Sequence, residues 1–157
     1  MMMDLDQTDL ELLHLLQEDA TMSKKELGLL VHKSFSVVHE RIKRLKKYGY
    51  IKDVRAILDR DKIGIGLICF SQVFLSDHSY GALEMFENSV SQFPEVMECF
   101  QMSGSYDFLL HIATNDMESY QLFLRNKLAV LPSIDRIQSF FVLSEAKSDL
   151  VYPLFGN

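Results

Sequence analysis

The side chains with the clearest chemistry are cations spaced along one predicted helix, Ser34 to Lys47, with the sequence SFSVVHERIKRLKK. Val38, Ile42 and Leu45 recur at steps of four and three, which predicts a single buried stripe. The remaining surface is crowded with basic residues: Arg41, Lys43, Arg44, Lys46 and Lys47. Because only Glu40 opposes them, this helix offers a cationic face to a polyanion.

The basic helix has its own start and stop signals. Ser34 can accept a hydrogen bond from a free amide of the first turn, as helix N-caps do. Gly49 can take the left-handed conformation that ends a helix. The segment therefore has a beginning, a buried side and an end.

Charge is distributed unevenly along the 157 residues, whose formal net charge is -6. Lys33 to Arg55 holds 8 Lys and Arg against 2 Asp and Glu, whereas residues 61–157 hold 5 against 12. The local field, rather than the total charge, steers a polyanion. The pattern indicates a basic N-terminal unit on an acidic body, and the length allows one ordinary domain or two small ones.

Sequence signatures of catalysis and metal binding are missing. No CxxC, HxxxH, GxSxG or glycine-rich phosphate loop occurs, and Cys69 and Cys99 stand alone in apolar runs. The histidines form no motif: His14, His32, His39, His78 and His111. We therefore expect no enzyme, no metal site and no cofactor.

The start of the chain, MMMDLDQTDLE, lacks the order of charges and apolar residues that a signal peptide has. No apolar stretch is long enough to span a bilayer. Cytoplasmic location, without membrane association, is the expectation.

Two further helices are predicted before the basic one. Asp6 can cap a helix whose wide apolar face includes five leucines, Leu10, Leu12, Leu13, Leu15 and Leu16, and Ser23 with Glu26 has capping-box spacing. Leu27, Leu30 and Val31 are the expected core side of the second helix. Since only His32 and Lys33 separate it from the cap of the basic helix, the pair predicts a helix-turn-helix. The run Tyr50 to Leu58 alternates enough to predict a strand or small wing.

From Ile63 onward the pattern predicts strand, helix, strand, strand, helix, strand, which is the ferredoxin-like βαββαβ order. The strands are expected at Leu67–Leu75, Val96–Met102, Phe108–Ala113 and Ile134–Leu143. The fold class is thus α+β, an N-terminal winged helix-turn-helix followed by a ferredoxin-like domain. Expected boundaries are 1–50 for the first domain, 51–62 for a linker strand or wing and 63–157 for the second. The strands are apolar on both sides and the helices cover one, so we expect a homodimer joined sheet to sheet.

The first half of this sequence resembles the helix-turn-helix end of the Lrp/AsnC (feast/famine) transcription regulators. Matching positions are Leu5-Asp6, Asp9, Ser23, Glu26-Leu27, Ser34, Val38, Arg41-Ile42, Leu45, Gly49–Ile51 and Leu58-Asp59. The second half is similar to the family's effector-binding module through Met102–Leu110 and scattered later positions. His32 and Lys33 depart from the family's turn, which normally has a glycine with a positive φ; His tolerates that angle better than most residues do.

The resemblance implies contact with double-stranded DNA through these residues: Ser34, Ser36, Val37, Glu40, Arg41, Lys43, Arg44, Lys46 and Lys47. Arg44 is expected to read guanine edges and the lysines to hold phosphates. Arg41 has an equally favoured alternative role as an ion-pair partner inside the domain.

The resemblance also implies an effector site, which we expect at Met102, Ser103, Gly104, Tyr106, Asp107 and Ser139. Gly104 would let a ligand approach the backbone, Asp107 would accept from an ammonium, and the two serines would donate hydroxyls. An apolar amino acid is the favoured ligand. The alternative is that Asp107 and Gly104 only satisfy the backbone of a turn.

The function that this implies is a sequence-specific DNA-binding transcription regulator, dimeric or octameric, whose assembly or DNA affinity a small molecule modulates. Two alternatives stay open at this point. One is a tetrapyrrole decarboxylase-like enzyme on the same scaffold, and the other is a hetero-assembly partner that binds DNA poorly alone.

Overall fold

The computed structural model describes residues 4–148 and 151–154, and the chain divides into two compact units. The first, the head unit, comprises the described residues up to Ile57 together with those from Lys147 onward. The second, the sheet unit, is Leu58–Ala146. The division after Ile57 falls inside the expected linker, 51–62, and the C-terminal segment joins the head unit. Within the described ranges, no helix is long and apolar enough to cross a membrane.

Three helices form the head unit: α1 Gln7–Glu18, α2 Lys24–Leu30 and α3 Phe35–Lys47. The three predicted N-caps, Asp6, Ser23 and Ser34, are confirmed. Asp6 and Asp9 make a reciprocal capping box at α1, as Ser23 and Glu26 do at α2. These bonds satisfy amides that would otherwise lack partners at the helix starts.

The turn between α2 and α3 is tight. His32 takes a φ of 53°, which confirms that it occupies the left-handed conformation where the family has glycine. Gly28 allows the close approach: its carbonyl accepts from the Lys33 amide at 2.9 Å. A Cβ at residue 28 would lie 2.7 Å from the Lys33 carbonyl oxygen.

One core prediction for α2 is wrong. Leu27, Gly28 and Val31 form its buried stripe, whereas Leu30 is 54% exposed. Leu27, Gly28 and Val31 fall on one side of the 3.6-residue period, and Leu30 falls outside that stripe. An apolar side chain alone does not identify a core position, because here a glycine occupies the place in the stripe that Leu30 was expected to fill.

The stripe of α3 is confirmed, since Val38, Ile42 and Leu45 are buried in the core of the head unit. Gly49, with a φ of 78°, ends the helix as predicted. The Tyr50 amide bonds to the Leu45 carbonyl and the Gly49 amide to that of Lys46, which is a Schellman motif. Both ends of α3 and its buried side are therefore fixed.

The predicted strand or wing between Tyr50 and Leu58 is not formed. Residues 52–58 take no regular secondary structure, and Val54, Ile57 and Leu58 are exposed. Alternation of apolar residues is not sufficient for a strand, because a strand also needs a partner for its backbone groups. No described segment of this chain supplies that partner.

The C-terminal segment lies against α1. The Gln17 side chain donates to the Tyr152 carbonyl at 3.3 Å and accepts from the Tyr152 amide at 2.9 Å. Val151–Leu154 borders a shallow cleft that Leu10 and His14 also line. One side-chain amide thus serves as the hydrogen-bonding partner that a neighbouring strand would provide.

The sheet unit has the predicted ferredoxin-like order. Its elements are β1 Leu67–Leu75, α4 Tyr80–Val90, β2 Val96–Gln101, β3 Phe108–Thr114, α5 Met117–Phe123 and β4 Ile134–Phe141. The strands are antiparallel in the order β2-β3-β1-β4. The fold class is confirmed, although β4 ends two residues before the predicted Leu143.

Both helices cover one face of this sheet. Alternate residues of β1 and β3 pack there with Phe86 and Val90 of α4 and Phe123 of α5. After Phe123 the helix widens into a π-helical turn, Leu124–Leu128, closed by a 2.8 Å bond from the Ala129 amide to the Leu124 carbonyl. The wider turn brings Leu128 into the core.

We expect Gly28→Ala to destabilise the head unit by about 1–3 kcal/mol, because the new methyl group meets a backbone oxygen that cannot rotate away. Urea unfolding followed by circular dichroism measures the change in stability. Gly81→Ala is the control, since a Cβ at residue 81 has no heavy atom within 4 Å. Equal unfolding midpoints for Gly28→Ala and the parent protein would refute the close-approach argument.

Candidate nucleic-acid interface and ligand-binding turn

The predicted DNA-contacting residues all lie on α3 or at its N-cap. A shallow concave surface is lined by Ser36, Val37, Glu40, Arg41, Lys43, Arg44, Lys47 and Tyr48. Lys46 is exposed but does not line this surface. The structure therefore brings seven of the nine predicted residues together and leaves Ser34, the N-cap, and Lys46 at its margin.

Two exposed aromatic residues at the ends of α3 were not predicted as site residues. Phe35 opens the helix beside His39, with ring planes 6° apart and centroids 6.2 Å apart. Tyr48 closes it, with the Lys47 ammonium 5.9 Å from its ring centroid. The sequence alone could not show that these two rings are exposed, because aromatic residues in a helical pattern more often belong to the core.

The two arginines of α3 are held by carboxylates at the start of α1. Arg41 Nη1 lies 2.8 Å from Asp6 Oδ2 and 2.8 Å from Asp9 Oδ1. Arg44 Nη2 lies 2.8 Å from Asp9 Oδ2. The structure thus gives Arg41 the alternative role of an ion-pair partner inside the domain, and Arg44 takes part in the same network.

This network changes the acid–base behaviour of Asp6 and Arg41. Hydrogen bonds from Arg41 hold the pKa of Asp6 below its usual value, and bonds to Asp6 and Asp9 raise the pKa of Arg41. At neutral pH both groups are fully charged. The four side chains sum to zero net charge, so the net positive charge of the face comes from its lysines.

The predicted effector turn, residues 102–107, joins β2 to β3. Its backbone closes through the Met102 amide, which donates to the Asp107 carbonyl at 2.8 Å. Asp107 Oδ2 accepts from the Leu75 amide at 2.8 Å, and Oδ1 lies 2.9 Å from His78 Nε2. The carboxylate therefore already has the backbone-satisfying role that was its alternative, and it ties the turn to β1.

The other residues of the turn remain open to solvent. Ser103, Gly104 and Ser105 are exposed, and Tyr106 is half-buried with its ring edge against Phe74. Gly104 has no positive φ, and a Cβ there would meet nothing within 4 Å. The fold itself does not require glycine at this position.

Ser139 does not join the turn. It lies on β4 opposite Ser71, and its hydroxyl bonds to those of Ser71 and Tyr120 on the helix-covered face of the sheet. The sheet register points Ser139 into a cluster of hydroxyls under α5, and its place in the effector set stays a prediction. Sequence spacing could not assign that face without the position of the bulge between Phe74 and Leu75.

The cysteines and acidic residues offer no second chemistry in the described part of the chain. Cys69 is buried, and burial raises the pKa of the Cys99 thiol to about 11. Cys99 is therefore a thiol at neutral pH, which makes it a poor nucleophile. The described residues contain no group of three or more His, Cys, Asp or Glu that could hold a metal ion.

A helix-turn-helix with an exposed basic helix, followed by a ferredoxin-like domain, defines a DNA-binding regulator with a ligand-binding domain. Residues 5–46 match the AsnC-type helix-turn-helix domain, and residues 68–152 match the Lrp/AsnC ligand binding domain. The chain belongs to the Lrp/AsnC family of transcription regulators. The predictions of family, fold and regulatory function are confirmed.

Individual relatives agree with this assignment. The chain is 39% identical over 144 residues to the proline dehydrogenase transcriptional activator of Rhizobium radiobacter, covering 92% of each. It is 31% identical to the leucine-responsive regulatory protein of Escherichia coli, covering 92% of this chain and 88% of that one. A Neisseria meningitidis transcriptional regulator, solved in complex with L-Met, superposes with a TM-score of 0.90 at 33% identity, covering 96% and 97%. These findings give no support to the decarboxylase or hetero-assembly alternatives.

We expect Asp6→Asn to remove part of the acid sensitivity of the head unit. Asn keeps the N-cap but loses the charge that Arg41 stabilises. Because the folded pKa of Asp6 lies below the usual 3.8, its contribution is present above that value and is lost as pH falls through the folded pKa. Urea unfolding at neutral and acidic pH should show the variant less stable at neutral pH and equal to the parent in acid. A constant difference across pH would contradict this assignment.

Proposed function

We propose that α3 enters the major groove of operator DNA and that its cationic face supplies the contacts. The observation that supports this most directly is the two-sided character of α3. One stripe is fixed in the core by Val38, Ile42 and Leu45, while the opposite face is exposed and basic. Helix-turn-helix proteins present their second helix to DNA in this way.

Within this proposal the side chains divide by chemistry. Lys43 and Lys47 approach phosphates as point charges, with Lys46 and Ser34 at the edge of the contact. Ser36, Val37, Glu40 and Arg44 face base edges, where hydroxyl, methyl, carboxylate and guanidinium groups each favour different bases. Selection of bound duplexes from random-sequence DNA would define the operator.

We expect Lys47→Ala to weaken binding to every duplex, selected or scrambled, and to lower the slope of log affinity against log salt by about 0.9 for each Lys47–phosphate contact that is lost. Fluorescence anisotropy across a salt series measures both quantities. Lys62→Ala removes the same charge from the sheet unit, where Lys62 pairs with Asp59, and serves as the control. An unchanged salt slope in Lys47→Ala would argue against α3 as the DNA-facing helix.

We further propose that the chain forms a homodimer through the open face of its sheet. The register places Phe70, Phe74 and Phe140 on the face that α4 and α5 leave uncovered. Phe100 of β2 and Leu109 of β3 pair on the same face. The aromatic and aliphatic side chains of this face are best covered by a second copy, which also supplies a second α3 about 34 Å away for the next turn of the duplex. Assembly of dimers into an octamer is part of the proposal.

We propose an apolar amino acid as the effector, bound at the exposed part of the turn. The L-Met complex belongs to the Neisseria relative and supports this ligand class by similarity. Gly104 with its open surroundings, the Ser103 hydroxyl, Tyr106 and Met102 would provide backbone, polar and apolar contacts. Asp107 shapes the turn, so an ammonium group would share a carboxylate that already holds the Leu75 amide. The effector acts only as far as its affinity differs between DNA-binding states.

We expect Gly104→Ala to abolish the effect of L-methionine and L-leucine on DNA affinity without lowering the melting temperature. The added methyl group would occupy the space that a ligand needs, while the fold leaves that space empty. DNA binding with and without each amino acid, together with thermal unfolding, tests both parts. Gly81→Ala is the matched control. A retained response to both amino acids would place the effector elsewhere.

A non-catalytic role in the cytoplasm completes the proposal. The relatives described above are transcription regulators, and the Cys99 thiol of this chain is protonated at neutral pH. A regulator that binds chromosomal DNA must be in the same compartment as the chromosome, which supports a cytoplasmic location.

A further inference from the structure

We infer that Asp9 is a positioning residue that orients Arg44 for base recognition and limits the attraction of α3 for nonspecific DNA. This inference rests on the proposed placement of α3 in the major groove. It begins from the burial of Asp9, whose side chain is 0% exposed although it carries a charge. A buried carboxylate is tolerated only when it is paired and hydrogen-bonded.

The carboxylate of Asp9 is divided between the two arginines. Oδ1 accepts from Arg41 Nη1 and Oδ2 accepts from Arg44 Nη2, both at 2.8 Å. Oδ2 also lies 3.4 Å from the Asp6 amide as part of the capping box of α1. The start of α1 therefore fixes this carboxylate before DNA arrives, and the carboxylate in turn fixes the guanidinium groups.

Arg44 keeps an outward-facing side while Asp9 holds it. Its side chain is 42% exposed and lines the concave surface beside Val37 and Glu40. A guanidinium is a rigid planar fork with several N–H donors, so anchoring one nitrogen restricts the plane of the others. Guanine is read by two parallel bonds from such a fork, and their strength depends on that plane.

The same ion pair limits nonspecific attraction. Asp6 and Asp9 cancel the charges of Arg41 and Arg44, so the field toward phosphates comes from the lysines of α3. Nonspecific affinity follows the net charge near the backbone, whereas discrimination follows the base contact. Asp9 therefore lowers the affinity for nonspecific DNA and raises the discrimination between base sequences.

The test measures affinity for a duplex selected from random-sequence DNA and for a scrambled duplex of equal composition. For Asp9→Asn we expect tighter binding to the scrambled duplex and about a tenfold fall in the ratio of selected to scrambled affinity, the size of one bidentate guanine contact. A carboxylate with only a structural role would weaken both affinities together. That outcome would overturn the inference.

The matched control is Glu26→Gln, because Glu26 holds the same capping-box position in α2 and bonds to Ser23 rather than to an arginine. Its affinity ratio should stay at the parent value. In an Arg44→Ala background, Asp9→Asn should no longer lower the ratio, since its effect passes through Arg44. A full tenfold fall in that background would count against the inference.

If Asp9→Asn does not fold, Arg44→Lys is the variant to measure. Lysine keeps the charge but cannot make the forked contact, so the ratio should fall about tenfold in protein whose circular dichroism shows it folded. An unchanged ratio would reject base reading by Arg44, and with it the role of Asp9. Failure of the wider proposal is distinguishable: Lys47→Ala would then leave the salt slope unaltered, whereas failure of the Asp9 inference alone would leave the Lys47→Ala result intact.

Discussion

The structure depends on α3 being anchored on one side while its other side stays open to a ligand. Val38 and Leu45 are fully buried, and burial of each such side chain contributes about 1.5–3 kcal/mol. The tight turn at His32 and the Schellman motif at Gly49 fix the two ends. With the helix held at three places, its polar face has a defined orientation relative to α1. DNA recognition needs this rigidity because base contacts depend on geometry more than phosphate contacts do.

The sheet of the sheet unit also has one face packed in a core and one face left open. One face is filled by α4 and α5, and the opposite face carries phenylalanines that neither helix covers. The turn at residues 102–107 lies at one end of β2 and β3, braced to β1 through Asp107. Under the proposed function, a ligand at this turn would contact backbone that is continuous with the strands of the open face. Ligand binding and assembly would then involve neighbouring parts of the same unit, as linkage between them requires.

Much of this architecture was predictable because its signals are local. Capping boxes are read from residues three apart, the stripe of α3 from a 3.6-residue period, and β1 from nine apolar-rich residues bounded by glycine and serine. The glycine substitute at His32 was predictable for the same reason, since φ preferences belong to single residues. These features do not depend on distant parts of the chain.

The failures involve contacts between distant segments or backbone registers. The Asp9–Arg44 pair joins residues 35 apart, and no periodicity reveals it. The face of the sheet on which Ser139 lies could not be predicted, because it depends on the register of β4 and on a bulge in the pairing of β4 with β1. The strand expected near Val54 is not formed because it lacks a partner strand. Leu30 is exposed because Gly28, not Leu30, lies in the buried stripe of α2. A resemblance to a family indicates which sequence positions belong to a site. The roles of Asp107 and Arg44 became clear only from the distances to their hydrogen-bonding partners.

The bond between Gln17 and the backbone of Tyr152 has a consequence for protein engineering. Because the chain leaves the head unit, builds the sheet unit and then returns a segment to α1, the DNA-binding portion is discontinuous in sequence. A hybrid regulator made by exchanging only the first 57 residues with a homologue would pair a foreign α1 with a native tail. Grafts that move both segments together would preserve the docking pair, and designers should choose two crossover points instead of one.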